Sequence, residues 1–206
     1  GLSRRYARTP IPGAVPLTPA LMKLFGYYTA EGRDNGGLEF CFGAHESELI
    51  EDCAGLMGDL FDLQPIREET DSNTIRLLYR SAALGRFFSS HCGNGSHNKR
   101  VPELLWTLPY EYFLAYLDGY RRGDGYTTRE GKLSMTSVSR RLVRELAWLC
   151  SMHGIKAGIR HGEQVAGRSI TPGAKPLPEG EYWNLIIGKT SNPFMPRPGS
   201  REHKKA

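Results

Sequence analysis

Two acidic residues, Glu31 and Asp124, occupy the same position in two copies of a nine-residue segment. The first copy, residues 24–32, reads LFGYYTAEG, and the second, residues 117–125, reads LDGYRRGDG. The copies lie 93 positions apart in a chain of 206 residues. Internal repetition on this scale predicts two similar units fused in tandem. Each unit would bring one carboxylate to a shared, symmetric site.

Each copy is predicted to form the last turns of a helix. Apolar residues recur with helical spacing over residues 21–30 and again over residues 113–123. Each copy then closes with a glycine, Gly32 or Gly125, of the kind that ends helices in a left-handed conformation. At the negative end of a helix dipole a carboxylate is disfavoured by about 0.3–1 kcal/mol. Paired carboxylates at two such ends are better suited to holding hard divalent cations, which prefer oxygen ligands.

Small residues spaced four apart are expected to bring these two helices together. Gly26 and Ala30 in the first helix, and Gly119 and Gly123 in the second, line one strip of each helix surface. Because such strips let two backbones approach closely, the sequence predicts a helix–helix interface along them. The two acids would then lie side by side at its end.

The paired segments resemble the signature of the LAGLIDADG homing endonucleases, in the single-chain form with two halves. The segment Lys99-Arg100-Val101-Pro102 also resembles the Lys-x-Ile-Pro block of the endonuclease domains found inside inteins. The resemblance covers most of residues 17–190. It implies an α+β fold of two pseudo-symmetric αββαββα halves with saddle-shaped antiparallel sheets. The implied activity is site-specific cleavage of both strands of a long DNA target, by either an intron-encoded or an intein-derived protein.

The resemblance also implies metal-dependent hydrolysis of the phosphodiester bond. Mg²⁺ would be held at Glu31, Gly32, Asp124 and Gly125, with Mn²⁺ able to substitute and Ca²⁺ able to bind without supporting cleavage. Both acids would be catalytic, and Lys99 would supply positive charge near one scissile phosphate. Lys189 is expected to be its counterpart, because Lys99 follows the first acid by 68 residues and Lys189 follows the second by 65.

Alternating side chains in the predicted strands point to a DNA-binding surface. With apolar residues turned inward, the outward set is cationic and amide-rich, and such groups hydrogen-bond base edges in the major groove. The residues predicted to bind DNA are Arg33, Arg67, Arg76, Arg80, Lys132, Ser134, Thr136, Lys156, Arg160, Tyr182 and Asn184.

The chain is expected to divide into two halves with a basic segment at each end. A basic arm spans residues 1–16 and a basic tail spans residues 192–206. The first half covers residues 17–107 and the second covers residues 108–191, with a Gly/Pro-rich loop between residues 162 and 180. Thr18 and Pro19 are predicted to begin the first helix, as N-cap and first helical residue.

Composition is consistent with a nucleic-acid-binding protein. Lys and Arg number 27 against 22 Asp and Glu, and the net charge of +5 suits a polyanionic partner. Four cysteines lie outside any CxxC pair, which indicates reduced thiols in an intracellular protein. No apolar stretch approaches the roughly 20 residues of a membrane span. We therefore expect an intracellular monomer that acts on double-stranded DNA.

Two alternatives from other functional classes stay open at this point. An RNA maturase that assists intron splicing would keep the fold and the basic surface. A DNA-binding regulator without catalytic activity could also use the same fold. Retention of both acids, Glu31 and Asp124, favours the endonuclease over either alternative.

Overall fold

The computed structural model describes residues 11–164 and 179–195. The helices are α1 (Pro19–Glu31), α2 (Ser47–Phe61), α3 (Ala82–Cys92), α4 (Tyr110–Asp124) and α5 (Arg140–Met152). The strands are β1 (Gly32–Asp34), β2 (Leu38–Gly43), β3 (Ile66–Thr70), β4 (Thr74–Tyr79), β5 (Gly125–Thr127), β6 (Leu133–Ser137), β7 (Ala157–Gln164) and β8 (Gly180–Ile187). This architecture confirms the predicted α+β fold.

The two halves contain matching four-stranded antiparallel sheets. The strand order is β1-β2-β4-β3 in the first sheet and β5-β6-β8-β7 in the second. The register also matches, since Leu38 pairs with Tyr79 in the first sheet and Leu133 pairs with Ile187 in the second. The halves differ after the last of these strands. In the first half β4 leads into α3, whereas in the second half β8 leads into a short 3-10 turn, Lys189–Ser191.

Side-chain caps mark the starts of α1, α3 and α5. Thr18 Oγ1 accepts a hydrogen bond from the backbone N–H of Leu21, and Pro19 occupies the first helical position, as the sequence predicts. Ser81 and Ser139 cap α3 and α5 in the same way. A side-chain N-cap of this kind contributes about 1 kcal/mol to helix stability.

Helices α1 and α4 pack against each other at the centre of the molecule. Their buried faces are rich in aromatic side chains, including Phe25, Tyr28, Phe113 and Tyr116. The inner face of each sheet packs against the helices. Helices α1, α2 and α3 contact the first sheet, and α4 and α5 contact the second. The opposite face of each sheet is therefore the one available to a partner.

Parts of three predicted segments lie outside the described residues: the basic arm up to residue 10, the loop between residues 165 and 178, and the tail after residue 195. Within the described residues, no helix is long and apolar enough to cross a membrane. All four cysteines fall in the described part and are free thiols; Cys53, Cys92 and Cys150 are buried.

Candidate functional site

Glycines at the crossing of α1 and α4 bring the two helix backbones into direct contact. A Cβ placed on Gly26 would lie 2.2 Å from the carbonyl oxygen of Tyr116, and one placed on Gly119 would lie 2.2 Å from that of Lys23. Real side chains do not tolerate such distances, so both positions require glycine. The two contacts are reciprocal, as expected for two halves related by a pseudo-twofold axis.

This line of glycine contacts between α1 and α4, the glycine seam, continues to the two acids. A Cβ on Gly123 would lie 2.6 Å from the Cβ of Ala30 and 3.2 Å from Oε1 of Glu31. Glu31 therefore occupies space that a side chain at Gly123 would fill. Because Glu31 and Asp124 are the last residues of α1 and α4, the helix seam delivers one carboxylate from each half to one place.

The glycines that follow the acids serve a different purpose from the predicted one. Gly32 and Gly125 have φ of −95° and −100°, so both are extended and the prediction of left-handed helix caps is wrong. The reason is that each helix runs directly into a strand, β1 or β5. Glycine is required here by packing, since a Cβ on Gly32 would lie 2.3 Å from Cδ2 of Tyr28, and one on Gly125 would lie 2.2 Å from the carbonyl oxygen of Arg121.

The two carboxyl groups share a crowded environment that disfavours negative charge. Desolvation by surrounding protein atoms and, to a smaller extent, the negative charge of Asp124 together raise the pKa of Glu31 to about 7. Desolvation also raises the pKa of Asp124 to about 7, and the positive charge of Lys99 opposes this rise. The charge of Asp124 thus acts on Glu31, as expected for two acids delivered to the same end of the helix interface.

Lys99 lies beneath the acids and is almost fully buried, with 6% of its surface exposed. Its Nζ donates hydrogen bonds to the carbonyl oxygens of Tyr28 (2.5 Å) and Gly32 (2.7 Å) and sits 3.9 Å from the centre of the Tyr28 ring. Burial lowers the pKa of Lys99 to about 8, while the charges of Asp124 and Glu31 oppose this fall. Lys99 thus neutralises the C-terminal end of α1. The carbonyl oxygen of Gly32, predicted as a metal ligand, already accepts a hydrogen bond from the ammonium group of Lys99.

Lys189 is not the structural counterpart of Lys99. Because Tyr79 and Ile187 hold equivalent places in their sheets, Lys189 corresponds to Ser81, two residues beyond Tyr79. Its side chain packs against Gly131 in the β5–β6 loop, and it is not among the described groups that shift the pKa of either acid. The prediction of equivalence failed because α3 lies between β4 and Lys99, whereas Lys189 directly follows β8 in a short 3-10 turn.

A third carboxylate, Glu46, influences the site and was missed from the sequence. Its charge raises the pKa of Glu31, and its Oε2 accepts a hydrogen bond of 2.7 Å from the backbone N–H of Gly43 at the end of β2. The repeat spacing places Ser139 at the equivalent position of the second half. An acid three residues after β2 carries no motif of its own, so no sequence signal marks it.

The donor atoms available at the acids are suited to a hard cation. Two adjacent carboxylates supply oxygen ligands, and the cost of keeping both charged is what a divalent ion would relieve. Among the residues that the structure describes, no group of three or more His, Cys, Asp or Glu forms a complete metal cage. A cation here would therefore depend on further oxygen ligands from water or from a bound phosphate.

The outer face of the second sheet carries the predicted polar set. Cross-strand pairing joins Thr136 to Asn184 and Arg160 to Asn184, so that these side chains share one face, opposite the buried Leu185. Ser134 and Tyr182 lie on the same face by alternation. Lys132 and Lys156, each just before its strand, are exposed.

The outer face of the first sheet agrees with the prediction in part. Arg33 and Arg76 lie on it, and each is near an acid: Arg33 Nε is 2.5 Å from Glu39, and Arg76 is 4.0 Å from Glu68. Arg80, just beyond β4, is exposed.

Arg67 lies on the wrong side of the first sheet for the predicted DNA contact. It pairs in register with the buried Leu77, which places it on the helix side. There its guanidinium makes two hydrogen bonds to Glu51 of α2. The error arose because Ile66 was assumed to point inward, whereas it lies on the outer face and is 41% exposed.

Comparison with known proteins places this architecture among solved folds. The homing endonuclease I-DmoI in complex with DNA and Mn has a TM-score of 0.57 at 14% identity, covering 82% of this chain and 89% of that one. The N-terminal LAGLIDADG domain of DUF199/WhiA has a TM-score of 0.51 at 15% identity, covering 82% and 75%. These likenesses show a shared fold.

Sequence comparison finds relatives that are much longer than this chain. An uncharacterized protein of Methanocaldococcus jannaschii is 35% identical over 138 residues, which are 63% of this chain and 17% of that protein. A DNA polymerase of Thermococcus kodakarensis is 26% identical over 151 residues, 69% of this chain and 9% of the polymerase. The chain thus spans less than a fifth of these relatives. No protein-family model matches it.

Proposed function

We propose that this chain is a LAGLIDADG endonuclease that cuts both strands of duplex DNA at a specific site with the help of a divalent metal. The observation that carries the proposal is the convergence of Glu31 and Asp124 at the ends of two helices joined by a glycine seam. One acid from each half gives the site the symmetry of a DNA duplex, whose two strands are related by a twofold axis. A single site can therefore serve one scissile phosphate on each strand.

Glu31 and Asp124 would hold Mg²⁺, with Gly125 as a further ligand. When bound, the metal supplies Lewis-acid stabilisation of the phosphate and lowers the pKa of a bound water. The acids are the chain's own contribution, because both must be deprotonated to bind a cation. We expect Mn²⁺ to support cleavage and Ca²⁺ to support binding alone.

Lys99 acts as a positioning residue in this proposal. Its hydrogen bonds to Tyr28 and Gly32 fix the residues on either side of Glu31. Its positive charge also lowers the pKa of both acids and so favours the metal-binding form. Lys189 lies elsewhere, and the proposal assigns it no role.

DNA would lie along the outer faces of the two sheets. The second sheet offers Arg160, Asn184 and Thr136 on one face, a set able to donate to and accept from base edges. The first sheet offers Arg33, which is hydrogen-bonded to Glu39, and Arg76, which lies 4.0 Å from Glu68. The long target expected for this class follows from two such faces in one chain.

Neither alternative explains the site equally well. An RNA maturase or a DNA-binding regulator needs the fold and a basic surface, but neither needs paired acids with raised pKa values at the centre. Both functions would be compatible with replacement of Glu31 and Asp124. Retention of the two acids against their mutual repulsion favours catalysis.

The test is direct cleavage of DNA. The purified chain is incubated with Mg²⁺ and a library of duplex DNA that includes the flanks of the gene's insertion site, and the ends are sequenced. We expect a double-strand break at one defined sequence, with no break when Ca²⁺ replaces Mg²⁺. Binding of a defined duplex without any cleavage in Mg²⁺ or Mn²⁺ would favour the regulator instead.

A further inference from the structure

Helix α5 carries an exposed stripe that the proposed cleavage does not use. Trp148 is 65% exposed and Met152 is 56% exposed, unusually high values for large apolar side chains. Arg141 and Arg144 precede them on the same helix face, at spacings of three, seven and eleven residues from Arg141. We name Arg140, Arg141, Arg144 and Trp148 the α5 stripe. With Glu145 they line a shallow groove of about 480 Å³.

The α5 stripe points away from the proposed DNA-reading face. The buried side of α5, which includes Leu142, Leu146 and Leu149, packs toward the inner face of the second sheet. The stripe lies on the opposite side of the helix, so a ligand bound there would not compete with duplex DNA on the outer face of the sheet. Arg141 is paired with Glu145 at 2.7 Å. Within the described residues, no ion pair engages Arg140 or Arg144.

The equivalent face of α2 shows that this stripe is not a general property of the repeated fold. At the repeat spacing, Arg141 and Arg144 correspond to Glu48 and Glu51, Trp148 to Gly55, and Met152 to Asp59. One half thus presents acids and a glycine where the other presents arginines and an indole. A merely solvated helix face does not require an exposed tryptophan. The difference points to a ligand that only the second half binds.

We propose that the α5 stripe binds single-stranded DNA. Guanidinium groups complement phosphate oxygens in charge and geometry, and an exposed indole offers a flat surface on which an unpaired base can stack. The bases of a duplex are already stacked, so duplex DNA would leave Trp148 without a partner. The choice of DNA over RNA rests on the proposed function, because a double-strand break produces ends from which single strands arise.

A second copy of the chain is a poorer occupant. Two α5 stripes facing each other would bring arginines together. The acidic face of α2 is already engaged, since Glu51 is hydrogen-bonded to Arg67 and Glu48 lies 3.9 Å from Arg122. An α5-to-α2 contact would also be heterologous and would tend to form open chains of molecules.

Fluorescence anisotropy of a labelled oligothymidylate of about 12 nucleotides, within the usual site size for such surfaces, tests the proposal. The full chain is used in EDTA, which prevents cleavage, and at low salt, where phosphate contacts are strongest. Trp148→Ala and Arg144→Ala should each weaken binding at least fivefold, and Trp148→Phe should retain most of it because the ring can still stack. The double variant Glu51→Ala/Asp59→Ala on α2 is the matched surface control and should bind at least as tightly as the parent.

Several results would overturn the proposal. The first is no measurable binding of the oligothymidylate by the parent chain. The second is a loss of affinity with Arg76→Ala on the sheet but not with the α5 variants. The third is tighter binding of an oligouridylate than of the oligothymidylate. Self-association in sedimentation velocity that depends on Trp148 would assign the stripe to a second copy. Because binding is measured without cleavage, a chain that binds the oligonucleotide but never cuts duplex DNA refutes the endonuclease and leaves the stripe in place.

Discussion

At the scale of single residues, the site combines two acids and a lysine whose protein surroundings disfavour their charged forms. Desolvation raises the pKa values of Glu31 and Asp124 to about 7, and the charge of Asp124 contributes to the rise at Glu31. Lys99 is buried close by, and its pKa falls to about 8. Such opposed shifts are common where a protein prepares a site for a ligand that carries the balancing charge.

Replacing Glu31 should reveal the cost of its charge in the absence of metal. With a folded-state pKa near 7 and an unfolded value near 4.5, the acid lowers stability progressively as pH rises between these values, and the loss is complete above about pH 7. Glu31→Gln should therefore raise the melting temperature at pH 8 in EDTA and have no such effect at pH 4. Asp59→Asn, an exposed acid on α2, is the control. A Glu31→Gln variant that melts below the parent at pH 8 would contradict the assigned environment.

Removing Lys99 should destabilise the chain as well as impair the site. Lys99→Met removes the charged donor from the carbonyl oxygens of Tyr28 and Gly32, and Tyr28 then keeps only the backbone N–H of Gly32. Loss of a buried, charged hydrogen-bond donor costs about 1–3 kcal/mol. Urea unfolding measures the change, and Lys189→Met serves as the matched control because Lys189 lies in an exposed turn. Equal stabilities for the two variants would show that the Lys99 hydrogen bonds contribute little.

At the scale of elements, the glycine seam between α1 and α4 sets the geometry of the site. Gly119→Ala places a Cβ against the backbone of Lys23, which cannot move as a side chain can, and overpacking of this kind costs about 1–3 kcal/mol or more. Gly55→Ala, in an exposed part of α2 with nothing within 4 Å of the added Cβ, should instead stabilise by up to about 1 kcal/mol through helix propensity. Thermal unfolding of both variants checks the contrast. A Gly119→Ala variant with the melting temperature of the parent would show that α1 and α4 do not touch at this point.

Much of the structure at the scale of elements could be predicted from the sequence, because helices and their contacts depend on periodic patterns. The repeat gave the two helices, their contact strip and the convergence of Glu31 and Asp124. What failed depended on tertiary context. The edge strand β3 has no clear alternation, so the face of Arg67 was assigned incorrectly, and the burial of Lys99 follows from the packing of the segment after α3, which no local pattern reveals.

At the scale of the whole molecule, two sheets in one chain should divide a target into two half-sites read by different residues. Arg76→Ala should relax preference within the half read by the first sheet, and Arg160→Ala within the other, with about 1–3 kcal/mol lost for each bidentate base contact. Binding selection from a randomised duplex pool measures both. Arg67→Ala, on the helix side of the first sheet, is the control and should leave the selected sequence unchanged. Uniform loss of affinity for all sequences would make Arg76 and Arg160 phosphate contacts.

The central claim is that the paired acids perform cleavage while the sheets perform binding. The most direct test compares the parent chain with Glu31→Gln and Asp124→Asn on its own duplex target at saturating Mg²⁺, with binding measured in Ca²⁺. Each variant should lose double-strand cleavage and keep an affinity within about tenfold of the parent, a change of about 1.4 kcal/mol or less. Cleavage at the parental rate by either variant would contradict the account.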